Sequence, residues 1–284
     1  MALSVVESSV RSRAGPPEQG ADLLLVTPHH VALLAGFSFG ATSGGTQPHG
    51  LPPARFAATV GLAGLRDLPP AATLREATDH LSAALTLALR HALSGGERLQ
   101  VGFALAAVSS VRRAVWQVGP VGALWDDPGL EGAQGGLSAA LTSLTAAGQA
   151  RALIVEALLA QGAGRLTPSQ LQASDPAQAV IAPLLVAHAS LANSTGPSGY
   201  GLINGDLVPD EHLRVHRLPP GPREVSLATA GYPAVMNTLA ATERRLQELL
   251  RADPLLITRF PYVRPYRPDH EGYADRAYAR VRVW

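Results

Sequence analysis

The chain has 284 residues, 46% of them hydrophobic, and a formal charge of +1. It is long enough to bury a large core, and its balanced charge predicts neither nucleic acid nor an anionic membrane as partner. It has no cysteine, and all 23 basic residues are arginine, so disulfides, thiolate catalysis, Cys-zinc sites and lysine chemistry are excluded.

The N-terminal "MALSVVESSVRSRAG" lacks a basic start followed by a long apolar run and does not read as a signal peptide. No apolar stretch reaches the ~20 residues needed to cross a bilayer, so a cytoplasmic location is expected. "LSVVESSVR" alternates loosely and predicts a first strand. "DLLLVT" and "HVALLAG", separated by "PHH", predict a hairpin. "ATSGGTQPHGLPP" is a Gly- and Pro-rich loop, and "LREATDHLSAALTLALRHAL" is a helix stopped by "SGG". Three short β-runs follow in "RLQVGFALAAVSSVRRAVWQVGPVGALW".

"GLSAALTSLTAAGQARALIVEALLAQG" is helical. A further helix is expected from an N-cap Asp175 with Pro176 at its first position. β-runs are predicted around Tyr200–Ile203, Leu213–Leu218 and Glu224–Leu227, then a charged amphipathic helix in "ATERRLQELLRADP". The cleanly alternating "RAYARVRVW" predicts a last strand, with Arg276, Tyr278, Arg280 and Arg282 on one face. Antiparallel-looking groups of strands between long helices fit one α+β domain over 1–284. The expected architecture is a four-layer α/β/β/α sandwich, two stacked antiparallel sheets flanked by helices.

"GFSFG", after a strand, matches the Gly-x-Ser-x-Gly nucleophile elbow, and Asp206 with His212, His216 or His270 follows in triad order around Ser38. The elbow needs a helix directly after the serine, whereas a Gly-rich loop comes next, so a serine hydrolase using Ser38 is a minor alternative. His29 and His30 are neighbours that point to opposite faces of a strand, and His80 and His91 lie eleven apart on one helix, so neither pair makes a shared metal site.

"VSLATAGYP" ends a β-run in a glycine turn with no acid, base or metal ligand. Taken in order, the segments resemble the metal-dependent serine/threonine protein phosphatases of the PPM (type 2C) family, closest to compact bacterial members. The resemblance covers nearly the whole chain and implies the same two-sheet sandwich. It also implies a two-metal centre held by acids, which here are largely replaced. In "GADLLLVT" Ala21 stands for an acid and Asp22 remains. In "VALLAG" Ala35 stands for an acid and Gly36 remains. In "QVGPVG" Gly119 remains and Pro120 stands for an acid. In "ATAGYP" Ala230 stands for an acid and Gly231 remains. In "YADRAY" Ala274 stands for an acid, while Asp275 and Arg276 remain.

The resemblance therefore implies a vestigial cleft of Asp22, Ala35, Gly36, Pro120, Ala230, Gly231, Ala274 and Asp275. It has no catalytic residues and no cofactor, and only Asp22 and Asp275 are left as metal candidates. Mg²⁺ or Mn²⁺ is expected only for the alternative of an active phosphoprotein phosphatase with an atypical ligand set. The favoured expectation is a pseudophosphatase, a binding or regulatory module for a protein partner or a phosphorylated ligand. The Arg- and aromatic-rich C-terminal region, with Arg264, Arg267, Arg276 and Arg280, is the candidate binding surface.

Overall fold

The computed structural model describes residues 2–39, 47–93, 99–125, 139–161 and 166–284. The first six residues of the Gly-rich loop (41–46), the "SGG" stop at 94–96 and the start of the helix predicted from 136 lie outside the described residues.

Nine strands form two antiparallel sheets among the described residues. One has the order β1-β9-β8-β6, from β1 (Leu3–Arg11), β9 (Arg276–Val283), β8 (Arg223–Thr229) and β6 (Val121–Trp125). The other has the order β2-β3-β4-β5-β7, from β2 (Asp22–Val26), β3 (His30–Ser38), β4 (Val101–Ser109), β5 (Ala114–Val118) and β7 (Arg214–Arg217). The sheets share one core. Val31, Leu33, Ala35, Ala104 and Ala106 of the second meet Val121, Leu227, Ala277, Ala279 and Val281 of the first. β3 and β4 read as near-continuous apolar runs because their other faces are buried too, with Leu34, Phe103 and Leu105 under helices.

Those helices are α1 (Pro53–Arg66) and α2 (Leu74–Ala92). A capping box starts α2: the Thr73 hydroxyl accepts from the Glu76 amide while the Glu76 carboxylate accepts from the Thr73 amide. α1 carries no prediction from sequence, its pattern being broken by Gly61 and Gly64. Both glycines are contact positions: a Cβ on Gly61 would lie 2.4 Å from the Phe103 ring, and one on Gly64 2.8 Å from Leu81. Their absence of side chain lets α1 sit close on β4 and α2.

The first sheet is covered by α6 (Leu239–Ala252), whose Leu246, Leu249 and Leu250 meet Ala228, Tyr232 and Tyr278. α3 (Ala139–Gln161) packs with α5 (Ala177–Ala189) and with the segment around Leu255 and Val263. A short α4 (Pro168–Ala173) lies between them in sequence. Asp175 is not the N-cap by backbone position, which Pro176 takes. Its carboxylate still accepts from the Ala177 amide at 2.9 Å, and its other oxygen pairs with Arg151.

The predicted strand at Tyr200–Ile203 is not formed. It makes only isolated bridges, Ile203 to Phe103 and Tyr200 to Ala192, because glycines at 199 and 201 let it thread closely past Ser194 and His212. Among the described residues no helix is long and apolar enough to cross a membrane.

Candidate functional site

A cleft of about 640 Å³ opens where one end of β2 and β3 meets the β8–α6 turn and the loop before β9. Asp22, Ala35, Gly36, Ala230, Gly231, Ala274 and Asp275 all line it. Seven positions spread over more than 250 residues of chain thus converge as the resemblance implied. Pro120 does not: it is buried in the β5–β6 turn and is not among the lining residues, so it drops out of the cleft.

The convergence has a clear backbone cause. Asp22 and Ala35 are direct cross-strand partners in the β2–β3 hairpin, where facing Cβ atoms stand ~5 Å apart. The Gly36 amide donates to the Ala21 carbonyl at 3.1 Å. A Cβ on Gly36 would fall 2.2 Å from the Ala54 carbonyl, and one on Gly231 1.9 Å from the Asp275 carbonyl. Both glycines are required by close backbone approach. Neither has positive φ.

The two surviving carboxylates do different things. Asp275 accepts from the Arg13 amide at 2.7 Å on one oxygen and from the Ala21 amide at 2.8 Å on the other. It ties the chain after β1 to the chain before β9, and both oxygens are engaged. Asp22 is 4% exposed. Thr229 offers it a hydrogen bond, but its Oδ2 is buried without a partner. Burial, reinforced by the charge of Asp275 and opposed by Thr229, pushes its carboxyl up to about 7.

This donor set does not fit a two-metal centre. Mg²⁺ and Mn²⁺ need an oxygen-rich, near-octahedral shell. The cleft offers two carboxylates, Asp275 with a backbone amide on each oxygen and Asp22 with one unpartnered oxygen, too few for two such shells. Among the described residues, no three His, Cys, Asp or Glu side chains come together as a metal site.

The cleft also holds cations that make no ion pair among the described residues. Arg13 and Arg264 both line it, half-buried. Among the described residues neither guanidinium makes a hydrogen bond or ion pair. Desolvation, and next the nearby Arg264, hold Arg13 below the ordinary arginine value, while Asp275 acts the other way. The buried Tyr262 phenol is within electrostatic reach of Arg264, Arg13, Asp22 and Asp275 at once, its own ionisation pushed up chiefly by burial.

Of the other arginines proposed for binding, Arg267 is exposed and pairs with Asp269 at 3.2 Å. Arg276 is 4% exposed, which takes it off the surface, and donates to Glu243 at 3.1 Å. Arg280 pairs with Glu7 at 2.9 Å and Glu224 at 3.0 Å. The last strand presents its arginines on one face as predicted, but that face is an ion-pair network. Arg13 was not singled out by sequence; its place depends on the contact with Asp275, 262 residues away.

The segment carrying Tyr262 and Arg264 is anchored from below. Arg151, fully buried, pairs with Asp175 and donates to the carbonyls of Leu255 and Tyr262, each at 2.9 Å, and of Leu256 at 3.2 Å. Asp253 accepts from the amides of residues 257 to 260 at 2.7 to 3.3 Å. Those four amides outweigh its burial and hold its carboxyl below the ordinary range.

Ser38 also lines the cleft, but the triad is not assembled. Ser38 pairs with Val101 in the β3–β4 ladder rather than sitting on a strand-to-helix turn. Asp206, His212, His216 and His270 are absent from the lining. His212 meets the Ser194 carbonyl and His216 packs on Trp125.

No family model and no curated protein matches the chain. Among solved structures, it is similar over its whole length to PPM-type phosphatases. The serine/threonine phosphatase PstP/Ppp of Mycobacterium tuberculosis is 14% identical, with 100% of this chain and 99% of that chain covered and a TM-score of 0.49. The PPM Ser-Thr phosphatase MsPP of Mycobacterium smegmatis, solved with cacodylate, is 15% identical, with 99% of each chain covered and a TM-score of 0.43. RsbX, solved with magnesium, is 8% identical, with 99% of this chain and 100% of that chain covered and a TM-score of 0.44. Likeness at this level says nothing about which side chains act.

Proposed function

We propose that this chain is a pseudophosphatase: a binding module on a phosphatase-like frame, whose cleft receives a phosphorylated ligand without hydrolysing it. One observation carries the reading. Two half-buried guanidiniums, Arg13 and Arg264, line one cleft with no acid paired to either among the described residues. Like charges held close and partly desolvated repel, and an oxyanion such as phosphate, accepting charge-assisted hydrogen bonds from the planar guanidiniums, relieves that repulsion. The failed fit to a metal pair removes the means by which such a cleft would activate water.

Calorimetry with ethyl phosphate on the wild type and on Arg13→Ala/Arg264→Ala tests the binding. Charge-assisted bonds of ~1.5–3 kcal/mol each predict a loss of at least about tenfold. Unchanged affinity refutes the site. Turnover of p-nitrophenyl phosphate that needs Mn²⁺ and is abolished in Asp22→Ala would refute the pseudoenzyme reading and establish the atypical phosphatase instead.

A further inference from the structure

The cleft has two chemically opposite halves. Arg13 and Arg264 supply unpaired positive charge, half-buried. Asp22, almost wholly buried, lines the same cavity and has an Oδ2 with no hydrogen-bond partner. Asp275, the other acid, has one backbone amide on each of its oxygens. The Tyr262 phenol lines the same cavity and is within electrostatic reach of both arginines and both acids.

An orphaned buried acceptor is costly, about 1–3 kcal/mol and more when charged. A bare phosphate on the arginines does not relieve it, since it brings a second negative charge towards Asp22. A ligand that carries a cation beside its phosphate satisfies both ends.

We infer that the ligand of this cleft is a small zwitterion, its phosphomonoester held by Arg13 and Arg264 and its protonated amine donating to the unpartnered oxygen of Asp22. This rests on the anion-binding reading above and adds the amine. Such a ligand is short, because both sets of groups line one cavity of about 640 Å³. Phe37, Val263 and Leu185 line the same cavity and give it apolar surface for a short carbon spacer.

The experiment compares O-phosphoethanolamine with propyl phosphate, in which a methyl group replaces the ammonium. Calorimetry is run at pH 8 on the wild type, Asp22→Asn and Arg13→Ala/Arg264→Ala, with melting curves to confirm folding. The wild type is expected to prefer the amine-bearing ligand at least tenfold. Asp22→Asn is expected to bind the two equally, with propyl phosphate affinity retained. The double arginine variant is expected to lose both. Equal affinities in the wild type, or a preference that survives in Asp22→Asn, overturn the zwitterion inference and leave the anion site standing. Binding of neither ligand by the wild type overturns both.

Discussion

Asp22 makes stability depend on pH in the direction opposite to most carboxylates, and Asp22→Asn measures it. In the folded chain its carboxyl is raised from 3.8 to about 7, chiefly by burial. The folded state therefore holds the proton more tightly than the unfolded state. The stabilisation from the neutral form is fully present below 3.8 and is lost as pH rises through 7. A shift of about three units corresponds to ~4 kcal/mol at 1.36 kcal/mol per unit, of which ~2–3 kcal/mol is lost between pH 5 and pH 8. Asn keeps the shape of the protonated acid and cannot ionise.

Urea denaturation of wild type and Asp22→Asn at several pH values between 5 and 8 gives the two curves. The difference in slope is the quantity to read, because it cancels the unpaired amide that Asn introduces. The wild type should fall relative to the variant by ~2–3 kcal/mol across that range. Parallel curves would show that Asp22 is ionised at little cost in the folded protein, and the account of it as a desolvated, unpartnered acid would fail.

His30 works on the other side of neutrality. Burial, with the charge of His29, holds its imidazole below the ordinary 6.5, so folding disfavours the proton and stability falls as pH drops below 6.5. Its ring lies 5.4 Å from that of Trp116; His30→Phe should flatten the acid limb, and an unchanged limb would assign it to other groups. Arg151→Met should cost ~3–5 kcal/mol in urea denaturation by leaving Asp175 charged and buried, and should weaken ethyl phosphate binding because Tyr262 and Arg264 lose their anchor. A loss of only a few tenths would mean that the ion pair is dispensable. Gly231→Ala should lower the melting temperature by several degrees, since its Cβ would stand 1.9 Å from a backbone carbonyl. A variant as stable as the wild type would mean that this crossing relaxes freely.

Legibility from sequence followed the range of the interactions. Strand β9 could be read because its parity is local: Ala277, Ala279, Val281 and Val283 go inward and Arg276, Tyr278, Arg280 and Arg282 outward. α2 could be read because the helical spacing of its apolar positions is local, whereas its capping box was seen only in the structure. α1 could not, because Gly61 and Gly64 look like breakers until Phe103 and Leu81 are seen against them. The pairing of Arg276 with Glu243 and of Arg280 with Glu7 likewise has no local signature.

The cleft was legible for a different reason. Gly36 and Gly231 are fixed by backbone crossings, against the carbonyls of Ala54 and Asp275, that any sequence with this chain path must accommodate. These constraints do not depend on what the cleft binds. Asp275 belongs with them, since its oxygens hold the amides of Arg13 and Ala21 whether or not any ion is near. Ala35, Ala230 and Ala274 line the cleft without such duties. Asp22 is the exception: it has neither amide partners nor a neighbouring acid array, and it remains as a buried acid with an open oxygen. A residue that burdens the fold in this way, inside a cleft also lined by Arg13 and Arg264, is the one on which the proposed ligand contact is to be tested.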